Sequence, residues 1–379
     1  MAMGKKTQVL VACAALALTQ LHMVSASLGD DLDEFQHCVM KCDIVTCQGL
    51  EKYSEEEAPR ELAKRWIREQ KKYHYFDEPP FSLDLRVIGW ECLPNCDYQC
   101  QRAVTIDRYK KGEEIYQFHG KWPFIRVLGI QELFSTIFSI GNWFPHYWGF
   151  KKILAKIKSE SSVNNTQFVN LYFAYLIISM VTMCAWFFST VFHLRDTWNR
   201  ERLDYFFAGA TVISGLYGIG TRVFKLYLTE NNFKRFLFGS LIVFLYICHV
   251  TRLLVDWSYT YNMQANVFIG LIQNVLWIYH SISSFSKLRQ SHNKGPSEYK
   301  SRNLIDDLKD KEINWTLIPI LLVGSVTLGM SFELFDFPPI LELIDAHALW
   351  HLATIWPAIY WYDYMIKDVE EGLKVKKYD

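Results

Sequence analysis

Asp345-Ala-His347-Ala-Leu-Trp-His351 heads an apolar run over residues 346–364. Its two histidines are four apart, so both imidazoles fall on one helix face, one turn of about 5.4 Å apart. Imidazole is the commonest metal ligand near neutral pH. A polar pair in a membrane-length apolar segment is costly and marks a functional site by default. The bland alternative is a wet helix interface lined by two histidines that bind nothing. A metal site therefore requires a third ligand from elsewhere in the chain.

The elements that would supply it are hydrophobic. The 379 residues are half hydrophobic and 16% aromatic, with formal net charge +0. Tyr and Trp at this density suit membrane interfaces, and a neutral balance gives no reason to expect nucleic acid. Apolar runs at 124–143, 168–192, 204–221, 236–255, 264–284, 315–334 and 346–364 predict seven spans, at about 20 residues per crossing. Lys5 and Lys6, the short apolar core Val9–Leu18 and Val24-Ser25-Ala26 read as a cleaved signal peptide over 1–26.

The polar stretch that follows carries six cysteines in two triplets, Cys38, Cys42, Cys47 and Cys92, Cys96, Cys100. After a signal peptide, an even count predicts disulfides in an oxidising lumen. Zinc is the rival, but the spacings match zinc knuckles poorly. The six admit about 15 pairings, and the sequence does not choose among them. A thin core in this stretch makes such staples necessary. Cys184 and Cys248 lie in apolar runs and read as buried thiols.

The fold class is thus an all-α membrane protein, seven transmembrane helices preceded by a small disulfide-stapled luminal domain. Its parts are the signal peptide over 1–26, a luminal cysteine-rich domain over 27–122, a seven-span domain over 123–366 and a cytosolic tail over 367–379. Lysines and arginines cluster after spans one, three and five and in the tail, which by the positive-inside rule makes those segments cytosolic. The N-terminus is then luminal and the C-terminus cytosolic. The segment after span two breaks the rule with Arg195, Arg200 and Arg202, although Asp196, Glu201 and Asp204 sit among them. Lys376-Lys377 near the C-terminus resembles a dilysine retrieval signal of endoplasmic reticulum membrane proteins. The sequons at Asn164 and Asn314 fall on the cytosolic side and are expected to stay unmodified.

This topology gathers the chemistry. Span two ends in the lumen with Ser189 and His193, four apart on one face. Span three begins there with Asp204, and span seven begins there with His347 and His351. Three histidines suffice for a catalytic zinc that keeps an open fourth position. Asp204 is placed to accept a water's proton and Ser189 to bond that carboxylate or an oxyanion. Zinc would bring its water to a pKa of about 7 and polarise an ester carbonyl. His249 and His280 lie at other depths, and Glu132 is a costly residue expected to face the bundle interior.

Ser189-x3-His193, Asp204 and His347-x3-His351 together are similar to the CREST superfamily of membrane hydrolases, which includes alkaline ceramidases. Further segments resemble the GPI-anchor lipid-remodelling phospholipases within it. They are Cys92-x3-Cys96-Asp-x2-Cys100-Gln, Phe118-His-Gly-Lys-Trp-Pro-Phe124, Gly129-Ile-Gln-Glu132, Phe192-His-Leu-Arg-Asp196, Leu203-Asp-Tyr-Phe206 and Tyr261-Asn-Met-Gln-Ala-Asn-Val267. The resemblance implies hydrolysis of the sn-2 acyl ester of GPI-anchored proteins, and the dilysine signal implies residence in the endoplasmic reticulum membrane with cycling to the Golgi. It assigns zinc to His193, His347 and His351, with Ser189 and Asp204 assisting. Thr197–Glu201 follows no motif of that family. Two alternatives stand beside it: a ceramidase-like amide hydrolase, and a seven-span receptor with structural zinc. A transporter has no support, because no inverted repeat is visible.

Overall fold

A computed structural model describes residues 27–47, 79–293 and 304–373. The expected signal peptide and the dilysine tail lie outside these residues. The described chain is helical, with isolated bridges and no strands. It divides into two compact units. One holds the described residues up to Pro79 with Cys92–Pro123 and Arg252–Phe268. The other holds Pro80–Glu91, Phe124–Thr251 and Ile269–Asp379.

The first unit is built on α1 (Asp33–Cys42), which runs into a π-helical turn at Asp43–Cys47. Past the intervening α2 (Leu83–Ile88), which belongs to the second unit, α3 covers Cys92–Lys111. Cysteines four apart share a helix face, and the two triplets meet as rungs of a ladder. The bridges are Cys38–Cys100, Cys42–Cys96 and Cys47–Cys92. The sulfurs themselves make much of the core, with Phe35, Ala103, Val104 and Phe118 around them. This confirms disulfides over zinc: each sulfur is consumed by a bridge. Replacing Cys42 and Cys96 together with serine should destabilise this unit by about 2 kcal/mol. The value sits at the low end because the flanking rungs still close the loop. Faster proteolysis of this unit in the full-length chain, with the second unit unchanged, is the expected readout.

The second unit holds long helices: α4 (Leu133–Ser162), α5 (Thr166–Leu194) and α6 (Trp198–Val223). Next in the chain come α7 (Asn232–Val255) and α8 (Tyr259–Asn293), whose residues 252–255 and 259–268 are counted in the first unit. Short α9 (Leu304–Lys309) and α10 (Lys311–Asn314) precede α11 (Ile318–Leu334) and α12 (Ala346–Lys367). Helices α4, α5 and α6 pack in succession, and α12 packs on α4 and α11. Segments Thr166–Leu194, Thr229–Val255, Tyr259–Ser291 and Lys311–Glu333 are long and apolar enough to cross a membrane. Helices α4, α6 and α12, of 30, 26 and 22 residues, are not among those four segments.

The first expected span is misplaced by the sequence. Residues 124–132 form no helix; Leu128 and Gly129 have positive φ and Val127 bridges Ile130. Helix α4 instead runs from Leu133 through Lys151, Lys152, Lys156 and Lys158, which the charge pattern assigned to a loop. Nothing in 146–162 breaks a helix except the internal Gly149, and that glycine is used for packing. A β-carbon there would sit 2.4 Å from the Tyr362 ring of α12. Lys152 pairs with Asp363 at 2.6 Å, and Lys156 pairs with Glu370, so these lysines join α12 and its extension.

Candidate metal centre

Helix α12 starts at a true cap. The Asp345 carboxylate accepts from the Ala348 amide at 2.8 Å, satisfying an orphan donor of the first turn. Asp345 is therefore a capping residue, and it fixes the turn from which His347 and His351 project. Helix α5 delivers His193 at its other end. The last carbonyls of α5 lose their intrahelical partners. The amides of Gln131 and Glu132 replace them, donating to Leu194 and His193 carbonyls at 2.9 and 3.1 Å. The non-helical segment before α4 is thus the C-cap of α5, which explains why it could not be a span.

The three histidines converge. Their ligand atoms all lie within 4.8 Å of one another, with His193 and His351 buried and His347 half-buried. Ring centroids are 5.2 Å apart for His193 and His347, 5.0 Å for His193 and His351, and 4.4 Å for His347 and His351. Each imidazole is held from behind through Nδ1. His193 Nδ1 meets Glu132 Oε2 at 2.8 Å, His347 Nδ1 meets Glu333 Oε2 at 2.8 Å, and His351 Nδ1 meets Ser139 Oγ at 3.0 Å. Ser139 donates its own proton to the Ser135 carbonyl at 2.7 Å, so its oxygen accepts from His351. With all three Nδ1 atoms engaged as donors, the Nε2 atoms are the ones left to hold an ion. A ligating histidine held this way by a carboxylate or hydroxyl has a fixed tautomer and greater basicity. Three imidazoles backed by two carboxylates suit zinc, and the residues present fit the group the sequence implied.

The remaining candidates occupy distinct places. Ser189 Oγ bonds to Ser139 Oγ at 3.0 Å, one residue removed from His351. Because Ser139 has already committed its proton, Ser189 is the donor. Asp204 is half-buried in the second turn of α6, outside the converging set. His280 takes no part; it bonds Asp368 at 3.1 Å. Thr197–Glu201 has a local role, since the Arg200 guanidinium reaches the Arg195 and Val191 carbonyls at 3.2 and 3.5 Å.

Glu333, Ser139 and Asn142 were missed by the sequence reading. Asn142 donates to the His351 carbonyl at 2.7 Å. The available signal was a buried polar stripe, Ser135, Ser139 and Asn142, at helical spacing on α4, together with an acid inside the apolar run of α11. Their roles yield a prediction. Replacing Glu132 with glutamine should weaken zinc affinity about 10- to 100-fold. Competition with a chelator of graded strength, on the purified full-length chain, measures it.

Comparison with known proteins gives one family. A model of the Per1-like family matches residues 82–369. Protein PER1 of Saccharomyces cerevisiae is 41% identical over 356 residues, 93% of this chain and 95% of that one. The Protein PER1 homolog of Schizosaccharomyces pombe is 35% identical over 96% of this chain and 95% of its own. The GPI-specific phospholipase A2-like PGAP3 of Xenopus laevis is 32% identical over 96% of this chain and 97% of its own. No solved structure matches.

Proposed function

The chain belongs to the Per1-like family, and on that footing we propose that it remodels the lipid of GPI anchors by hydrolysing the sn-2 acyl ester. The observation that carries this reading is the trio His193, His347 and His351, each oriented through Nδ1 by Glu132, Glu333 and Ser139. The relatives' names carry the substrate. Helices of membrane length fit a lipid substrate, and on the positive-inside reading of the sequence the trio belongs to the luminal leaflet.

His193, His347 and His351 would hold a zinc ion through Nε2. A zinc ion held by three histidines supplies a Lewis acid for the ester carbonyl and lowers the pKa of water toward 7. The protein's own groups do the rest. Glu132, Glu333 and Ser139 keep each imidazole in the tautomer that presents Nε2. Asp204 takes the proton of the attacking water. Ser189, whose hydroxyl donates to Ser139 behind His351, is the residue assigned to turn to the developing oxyanion. The acyl chain leaves as a fatty acid, and the lyso lipid stays in the membrane.

The test is made in cells that lack the chain. The lipid of their GPI-anchored proteins is analysed by mass spectrometry. Retained unsaturated sn-2 chains, replaced on re-expression, are the expected result. Anchors remodelled normally without the chain would overturn the reading.

A further inference from the structure

Arg195 follows the metal-ligand candidate His193 by two residues, in the one arginine-rich segment that breaks the positive-inside pattern. It is only 6% exposed, and its Nε is a buried donor with no hydrogen-bond partner. No described carboxylate pairs with its guanidinium, although Glu91, Asp196, Glu201 and Asp204 are near in sequence or space. Instead the guanidinium lies over Trp90, its carbon 5.4 Å from the ring centroid. A second guanidinium, that of Arg126, lies 4.5 Å from the same centroid. The two cations are thus within about 10 Å of each other, no more than a Debye length, where salt screens them little.

The mount is rigid. Trp90 is 7% exposed and donates its indole proton to the Gly129 carbonyl at 2.8 Å. Gly89 has φ 90°, and a β-carbon there would touch an Arg195 terminal nitrogen at 3.4 Å. A buried cation with an unmet donor costs stability unless an anion completes it. Among the described residues none accepts from the Arg195 Nε, and two guanidiniums lie over one indole.

We propose that Arg195, with Arg126 beside it at Trp90, binds the phosphodiester of the lipid substrate. The proposal rests on the hydrolase reading of the histidine trio. In a glycerophospholipid the sn-2 ester and the phosphodiester hang from neighbouring carbons of one glycerol. A phosphate site therefore belongs a glycerol's length from the metal, and Arg195, the C-cap residue that ends α5, follows the ligand candidate His193 by two positions. A planar guanidinium fork matches a phosphate. The same site has nothing to offer ceramide, which carries no phosphate, so it selects a glycerophospholipid ester over the amide alternative.

The experiment uses the purified full-length chain with and without Arg195→Gln, and Arg195→Lys as the charge-preserving variant. Binding is read as the shift in melting temperature caused by dihexanoyl phosphatidylinositol, dihexanoyl phosphatidylcholine, dihexanoyl glycerol and inorganic phosphate. Both phospholipids should stabilise the wild type, and dihexanoyl glycerol should not. R195Q should bind them about 10- to 100-fold more weakly, with R195K between. If phosphatidylinositol alone binds, the site reads the GPI headgroup; if both bind, it reads the phosphodiester common to all. Cleavage of a GPI-anchored protein should show the same factor in KM rather than kcat. Equal binding by R195Q and wild type, or equal binding of dihexanoyl glycerol and the phospholipids, would overturn the proposal. Binding that behaves as expected without any cleavage would instead sink the hydrolase reading and leave the anion site standing.

Discussion

Alanine at His351 should abolish remodelling, with activity falling at least about a hundredfold and bound zinc lost in parallel. Loss of a partner behind a metal ligand already costs 10- to 100-fold, and His351 is a ligand candidate itself. It has two further ties: Nδ1 to Ser139 and the backbone carbonyl to Asn142. The alanine variant keeps the carbonyl contact, because that is made by the backbone. Helix α12 should therefore stay seated on α4, and the variant should elute and melt close to the wild type. Zinc content by elemental analysis, together with the sn-2 chain on GPI-anchored proteins, checks the prediction. A variant that loses zinc yet remodels normally would refute the metal's role. One that keeps a full complement of zinc would refute His351 as a ligand.

Methionine at Arg222 should destabilise the chain by about 3–5 kcal/mol. Arg222 Nε and a terminal nitrogen reach the two Asp368 oxygens at 2.5 and 3.0 Å, and His280 Nε2 reaches one of them at 3.1 Å. Asp368 is fully buried just past the last expected span. Removing Arg222 strands a buried charge, which costs far more than the pair is worth as a unit. The double variant Arg222→Met with Asp368→Asn should recover most of the loss, and thermal unfolding of the three proteins in one detergent measures it. Burial alone would raise the Asp368 pKa; Arg222 and His280 outweigh it and hold the carboxyl well below the usual range. A carboxyl with a depressed folded pKa stabilises fully above its unfolded value of about 4. That stabilisation is lost as pH falls from the unfolded value through the depressed one, so it is fully present at neutral pH.

The elements of the site were legible where one chain segment carries its own period. His347 and His351 share a face because a helix puts four residues on one turn, and Ser189 and His193 follow the same rule. The trio needed only topology in addition. The supports were not legible for a different reason. Glu132 and Glu333 meet His193 and His347 across helices, and no spacing within one segment encodes such a partner. The first span failed because residues 124–132 are apolar enough to count toward a span, yet their job is to cap α5. Composition measures hydrophobicity and is blind to which carbonyls lack donors. The disulfides were legible as a class, while their pairing required knowing that α1 and α3 lie side by side.

That ladder also sets an order of events during synthesis. Its rungs are nested: Cys47–Cys92 spans 45 residues, Cys42–Cys96 spans 54 and Cys38–Cys100 spans 62. The first triplet must wait, reduced, until the second has been made. The innermost pair then closes the shortest loop, the least costly of the three. Each outer pair next needs only about one helical turn on either side to be zipped. A nested ladder therefore closes like a zip from the inside out, and a crossed pairing would leave its neighbours facing away from their partners.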